Sequence, residues 1–332
     1  MNSLPLFASI LIALLLSRKI GIGFSLLIAS LFLGISTLGL NFDLIRCYFQ
    51  LQSLEIMALV FFTYSLANLM DKLGMLEKIS EWLNDCFGSV SVALIPLVIG
   101  LIPMPAGALV SASMLLPIIR NAKISAERLT VINYWFRHVW TPVWPLYPSV
   151  IIALAVLAVE YGFYLHSTLP IAILSFIAGL FLLQKLSFSF KPKELEKVLL
   201  NLYPIIVLIS LFLVTKMLLP SILVSIAIVL LHKKPKFELL KQTLKKSLDL
   251  RVFALVFAVM GYKEIIRISN SAQLLYSDLS FLPVQITAFA VSFLVGFATG
   301  IEMSYSSISL PIFHDFAEEQ KNLLLLITAG FF

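Results

Sequence analysis

Val98-Ile99-Gly100 followed by Leu116-Pro117-Ile118 returns as Leu294-Val295-Gly296 followed by Leu310-Pro311-Ile312. Gly100 and Gly296 stand 196 residues apart, and the same offset relates Ala58-Leu59-Val60-Phe61 to Ala254-Leu255-Val256-Phe257. The second copy is two residues shorter between its glycine and its proline. A membrane segment broken by Gly and Pro, present once in each half of a chain, is the sequence pattern of a secondary transporter, with its site where the two broken segments meet near the midplane.

Composition supports a membrane reading. The chain is 60% hydrophobic and 13% charged, against roughly 45–50% and about 25% in soluble domains. Apolar runs approach the ~20 residues that cross the hydrocarbon as a helix, and the alternation of a transmembrane barrel is absent. The fold expected is all-α, a polytopic bundle forming a single transmembrane domain over 1–332. Repeat 1 covers 1–186, with a re-entrant hairpin at about 90–119. Repeat 2 covers 199–332, with a hairpin at about 283–313. The net charge of +6 is read as cytoplasmic loops rich in Lys and Arg, not as a nucleic-acid surface. Cys47 and Cys86 form no Cys-x-x-Cys pair or zinc pattern. Met1 to Pro5 lacks a basic n-region, so the first apolar stretch is expected to stay as a helix.

Crossings are expected at about 4–17, 21–40, 53–71, 130–160 (long and Pro-broken), 168–186, 199–215, 218–232 and 250–268, with a last one starting near 322. Gly74–Phe87 and Ser269–Ser280 are polar enough to lie along the interface. This topology puts 18 of the 24 Lys and Arg on one side and five on the other, with Arg137 left inside. The rich side is then cytoplasmic and the N-terminus outside, in a multi-pass plasma-membrane protein. The bias depends on dividing the apolar run 205–231 at Lys216 to Pro220. Five crossings precede the second copy, which therefore enters upside down, its hairpin opening to the outside and the first to the cytoplasm. By position matching the second copy lacks its last one and a half elements, roughly 55 residues. The chain reads as C-terminally truncated, or as a short form closed by a homodimer partner.

Three constellations could carry chemistry. In Gly100-Leu101-Ile102-Pro103-Met104-Pro105-Ala106-Gly107, Pro103 and Pro105 remove backbone donors and disfavour helix before them, and Gly107 permits close approach. Non-helical backbone at membrane depth is tolerated where it is buried in protein or lines a wet cavity. Its free groups, with Ser111 and Ser113, suit an ion or a carboxylate; the bland alternative is a kinked helix with small packing residues. The second segment offers Thr299, Gly300, Ser304 and Ser306 to substrate, and Glu302 with Ser307 to a coupling ion, Na⁺ or H⁺. Glu302 could equally lie in water at the outer rim.

The third is Asn133 to Pro148, in which Asn133, Arg137 and Thr141 share a helix face at i, i+4 and i+8 before Pro142, Pro145 and Pro148. A central Arg costs about 2.5–3.5 kcal/mol on insertion scales, so it faces a partner or a cavity, and its planar fork suits a carboxylate or phosphate. The alternative is snorkelling to the nearby interface. His138 either relays protons or makes a structural hydrogen bond. Lys263, Glu264 and Arg267 read as an outer-interface cluster.

Gly100 to Ser111 and Asn133-Tyr134-Trp135-Phe136-Arg137-His138 resemble the domain-of-unknown-function 401 family of integral membrane proteins over the whole chain. That family resembles the ion transporter superfamily, with its gluconate, citrate and dicarboxylate carriers. The resemblance implies paired hairpins opening to opposite sides and an acidic residue where this chain has Thr141, which would deprive Arg137 of a charge partner here. It implies no particular substrate. The function expected is secondary transport of a small anion, an organic acid for example, coupled to Na⁺ or H⁺, with no cofactor. An intramembrane enzyme is disfavoured, since no His-Glu-x-x-His, Gly-x-Ser-x-Gly or paired intramembrane aspartates occur. A channel or membrane scaffold is the remaining class. No Gly-x-x-x-x-Gly-Lys loop for ATP is present.

Overall fold

The computed structural model describes residues 3–332 except 105–106, 123, 185, 187–189, 192–194, 301, 315, 317–321, 323–325, 328–329 and 331–332, and side chains 117–122 are outside the description too. Among the described residues there are helices and no strand. In chain order they are α1 (Leu4–Ile20), α2 (Ile22–Leu38), α3 (Phe42–Tyr48), α4 (Leu51–Lys72), α5 (Met75–Phe87), α6 (Ser91–Ile99), α7 (Gly107–Ala122), α8 (Ala126–His138) and α9 (Pro148–Leu157). There follow α10 (Tyr161–Leu180), α11 (Leu195–Thr215), α12 (Leu218–Lys233), α13 (Phe237–Ser247), α14 (Leu250–Ile268), α15 (Ser271–Asp278), α16 (Val284–Thr299), α17 (Glu302–Ser304), a π turn at Tyr305–Ser309, and α18 (Leu310–Ile312).

Among the described residues, four helical stretches are long and apolar enough to cross a membrane: Phe42–Lys72, Met75–Ile99, Tyr161–Leu183 and Leu195–Thr215. The chain is therefore a membrane protein. Two of the four are composite. Gly88 (φ 56°) divides α5 from α6, and α5 is strongly two-faced, burying Leu76, Ile79 and Leu83 while Lys78 and Glu81 stay exposed. That division matches the interfacial reading of Gly74–Phe87 better than one straight span.

Local chemistry explains most boundaries. The Asn41, Ser125 and Asp249 side chains accept from the Leu44, Arg128 and Arg251 N–H groups, at 3.0, 3.3 and 2.9 Å, and so satisfy donors left open at the starts of α3, α8 and α14. Lys216 adopts φ 59°, a left-handed conformation that ends α11. Pro220 sits in the first turn of α12, where a proline costs nothing. The apolar run 205–231 is thus two helices, as the charge bias requires.

Other expectations shift. The segment 130–160 is not one helix: α8 ends at His138, non-helical chain follows, and α9 begins at Pro148. Pro142 and Pro145 remove donors across that gap. The crossing expected at 168–186 begins at Tyr161, seven residues early. Helix α13 occupies the basic stretch between the crossings expected at 218–232 and 250–268, for which no element was named. The crossing expected from 322 lies largely outside the described residues.

The helices form two compact units. The first holds residues 1–58, 147–170 and 249–332. Its core packs α2 against α1 and α14, and it ties Tyr262 Oη to Ser9 Oγ at 2.9 Å and Tyr48 Oη to Ser30 Oγ at 2.7 Å. Buried hydroxyls paired in this way avoid the penalty of an unmet donor. The second unit holds 59–146 and 171–248. Its apolar core runs from Leu66 and Met70 through Ile79, Ile95 and Ile99 to Phe136, Leu208 and Ile222.

Candidate functional site

In the second unit the apolar segment 91–122 is broken. Helix α6 stops at Ile99, α7 starts at Gly107, and Pro103 lies buried in the gap; Pro105 is outside the described residues. Helix α8 packs along both α6 and α7. Arg137 is only 4% exposed, so its guanidinium does not snorkel into headgroups. It lies directly against Gly107, where an added Cβ would overlap Nη2. Gly100, at the other end of the gap, approaches the Arg137 carbonyl so closely that its own Cβ would sit 2.6 Å from that oxygen. Both glycines are thus needed for space, and both make that space for one residue.

Asn133, one turn before Arg137, fixes the start of α7. Its Oδ1 accepts from Ser111 Oγ at 2.7 Å, and its Nδ2 donates to the Ala108 carbonyl at 3.0 Å. Two indoles address the end of α6: Trp140 Nε1 donates to the Leu97 carbonyl at 2.8 Å and Trp144 Nε1 to the Leu101 carbonyl at 2.7 Å. The Leu97 carbonyl belongs to the last turn of α6, where intrahelical donors run out, and the Leu101 carbonyl lies in the gap beyond it. Thr141 lies three residues past the end of α8 and so does not extend the helix face expected to include it; it is 1% exposed, with no hydrogen bond to its Oγ1 among the described residues.

Two expected members are placed elsewhere. His138 turns back along its own helix, its Nδ1 2.7 Å from the Tyr134 carbonyl and its ring 4.3 Å from the Tyr134 ring. Ser113 is exposed, donates to Val110 at 2.7 Å, and lines a cleft of about 420 Å³ with Asp71, Glu77, Glu81 and Asn84. The carboxylates make that cleft a poor host for an anion. The indoles of Trp140 and Trp144 were not singled out from sequence. Their signal was the spacing of two Trp across a Pro-broken turn.

In the first unit α16 ends at Thr299, and Gly300 adopts φ 62°, a left-handed conformation that a residue without Cβ enters at no steric cost. The chain resumes as α17, opens into the π turn, and closes as α18. Single π turns inside helices recur at functional sites. Helix α9 packs on all three pieces. From it Ser149 Oγ donates to Glu302 Oε1 at 3.3 Å. The fully buried Tyr164 and Tyr305 hydroxyls face each other beside that carboxylate. Ser304 and Ser309 are buried with no hydrogen bond to their hydroxyls among the described residues. Ser306 and Ser307 donate to the Met303 carbonyl at 3.1 and 2.5 Å, and Thr299 to Val295 at 2.8 Å. Glu302 is half-buried among hydroxyls. Ser149, Tyr164 and Tyr305 were not singled out from sequence, because nothing in their spacing connects them to Glu302. Lys263, in α14, donates to the Ala155 carbonyl at 3.0 Å, while Arg267 pairs with Glu264.

No curated protein matches the chain. A family model matches it from end to end, over residues 1–332. The chain belongs to DUF401, a family described as protein of unknown function.

Proposed function

We propose that the protein is a secondary transporter of a small anion, working by alternating access through two inverted repeats, each with a re-entrant hairpin. The observation that carries the reading is Arg137: a guanidinium buried at a break in a membrane segment, against the first residue of α7. A helix N-terminus presents free N–H groups and the positive end of its dipole. Beside it, a planar fork can take a carboxylate in two parallel hydrogen bonds. Glu302, with Ser307 and the hydroxyls around it, is the coupling group for H⁺ or Na⁺. The likeness to the ion transporter superfamily, and hence to carriers of gluconate, citrate and dicarboxylates, belongs to this reading, as do the plasma-membrane location and the outward N-terminus.

The element order supports the repeat. Helices α2 and α12 begin at 22 and 218, and α5 and α15 at 75 and 271, each pair offset by 196 residues. Gly100 meets the Arg137 carbonyl and Gly296 the Gly330 carbonyl, at separations of 37 and 34 residues. Each compact unit joins the first two helices of one copy to the broken segment of the other. Such an exchange is what two opposed copies of one motif produce when they share a membrane.

The test is flux. Purified protein in proteoliposomes should take up gluconate, citrate or succinate under a pH or Na⁺ gradient. Arg137→Lys should lose most of that uptake despite keeping the charge, because an ammonium cannot reproduce the fork. Undiminished uptake by Arg137→Gln at normal expression would refute the role. Uptake indifferent to either gradient would identify a channel, and no flux of any anion a scaffold.

A further inference from the structure

We propose that α13 lies in the membrane interface and holds anionic phospholipid headgroups of the leaflet it rests on. The helix is fixed to its own unit along one face. Thr243 and Ser247 are buried, Asn68 Nδ2 of α4 donates to Ser247 Oγ at 3.1 Å, and Lys246 pairs with Asp71 of α4 at 3.3 Å. The adjacent face is exposed among the described residues. Phe237 is 78% exposed there, with Leu244 one face-repeat later and Leu248 at the helix end. An apolar stripe of this kind on an anchored helix is left for acyl chains, since water would make it costly.

Its flank supplies the charge complementarity. Lys241 falls on the stripe's edge and Lys245 one turn further, both exposed. Long lysine stems lie along apolar surface while their ammonium groups reach outward to headgroup depth. Helix α12, an apolar helix, ends at Lys233 and reaches α13 after only Lys234, Pro235 and Lys236, so these ammonium groups are held where a membrane helix ends. The acidic residues facing the same stretch are Glu238, which Gln242 contacts at 3.5 Å, and Asp249, which caps α14. Neither pairs with Lys241 or Lys245 among the described residues. Anionic surface lipid is the partner that satisfies both an apolar stripe and a lysine flank.

The test places a fluorophore on Phe237→Cys; Cys47 and Cys86 are buried. The protein is reconstituted in equal parts phosphatidylcholine and phosphatidylglycerol, with one or the other brominated as quencher. Brominated phosphatidylglycerol should quench more strongly, and Lys241→Gln or Lys245→Gln should each reduce that preference by about fivefold. Lys246→Gln, whose ammonium is engaged by Asp71, should change it least. Equal quenching by the two lipids in the parent overturns the proposal. So does absence of quenching by either, and so does quenching between fluorophores on neighbouring proteins, which would assign the stripe to a second copy.

Discussion

Gly107→Ala isolates the contact on which the first site is built. Gly107 does not have a left-handed φ, so alanine fits the backbone, and the cost must come from the overlap of its methyl with Arg137 Nη2, Cζ and Nε. The guanidinium cannot swing into solvent, because Arg137 is 4% exposed and α8 packs along both α6 and α7. Forcing an added carbon into such packing costs about 1–3 kcal/mol. The helix preference of alanine over glycine returns at most about 1 kcal/mol, and less in a first turn. The net expectation in the parent is a loss of about 1–2 kcal/mol. With Arg137→Ala the overlap disappears, and the same methyl should be neutral or stabilise by about 0.5 kcal/mol. The double-mutant cycle should therefore show a coupling of about 1–2.5 kcal/mol, in the range of residues in direct contact. Reversible unfolding in mixed micelles with increasing dodecyl sulfate, followed by circular dichroism, measures all four corners. Additivity within about 0.5 kcal/mol would refute the geometry, and with it the anion site.

Trp140→Phe and Trp144→Phe keep the aromatic body but leave the Leu97 or Leu101 carbonyl without its donor. Each should cost about 1–3 kcal/mol in the same unfolding assay, with faster amide exchange in α6; a neutral result would mean that water replaces the indole. Cysteines at Lys216 and Lys234, at opposite ends of α12, should react with impermeant label from opposite sides of the membrane. Labelling of both from one side would remove α12 as a crossing and the charge bias with it.

How much of this could be read from the sequence varies with the kind of signal. Helix punctuation was legible where it is chemical: Lys216 to Pro220 divides α11 from α12, and Pro103 with Gly107 breaks 91–122, because conformational penalties act locally. The break after His138 was legible too, because Pro142, Pro145 and Pro148 follow within ten residues, although its ends were not. Helix α13 escaped because its apolar residues are sparse and its lysines read as loop charge. Asn133 and Arg137 were correctly placed on one face, but sequence spacing does not say what a face meets. That Arg137 meets Gly107, that Ser113 turns towards a carboxylate-lined cleft, and that Ser149 and Tyr164 reach Glu302 all depend on long-range packing. The composition of the two units was invisible for the same reason.

The indoles of Trp140 and Trp144 bear on which ions the two breaks can receive. Carbonyl oxygens are what draw cations to unwound backbone, and at the end of α6 two of them are already bonded to N–H groups. At the opposite end of the gap stand the first turn of α7 and the Arg137 guanidinium, whose polar groups are donors. Under the proposed function, that donor-lined break is the one suited to a carboxylate. From residue 283 to the end the chain contains neither Trp nor Arg. At the second break Arg18 donates to the Ala298 carbonyl at 3.3 Å, and hydroxyls, the Glu302 carboxylate and a π turn stand beyond it. Under the proposed transport, the first break offers donors and the second a carboxylate, the division that moving an anion together with a cation requires.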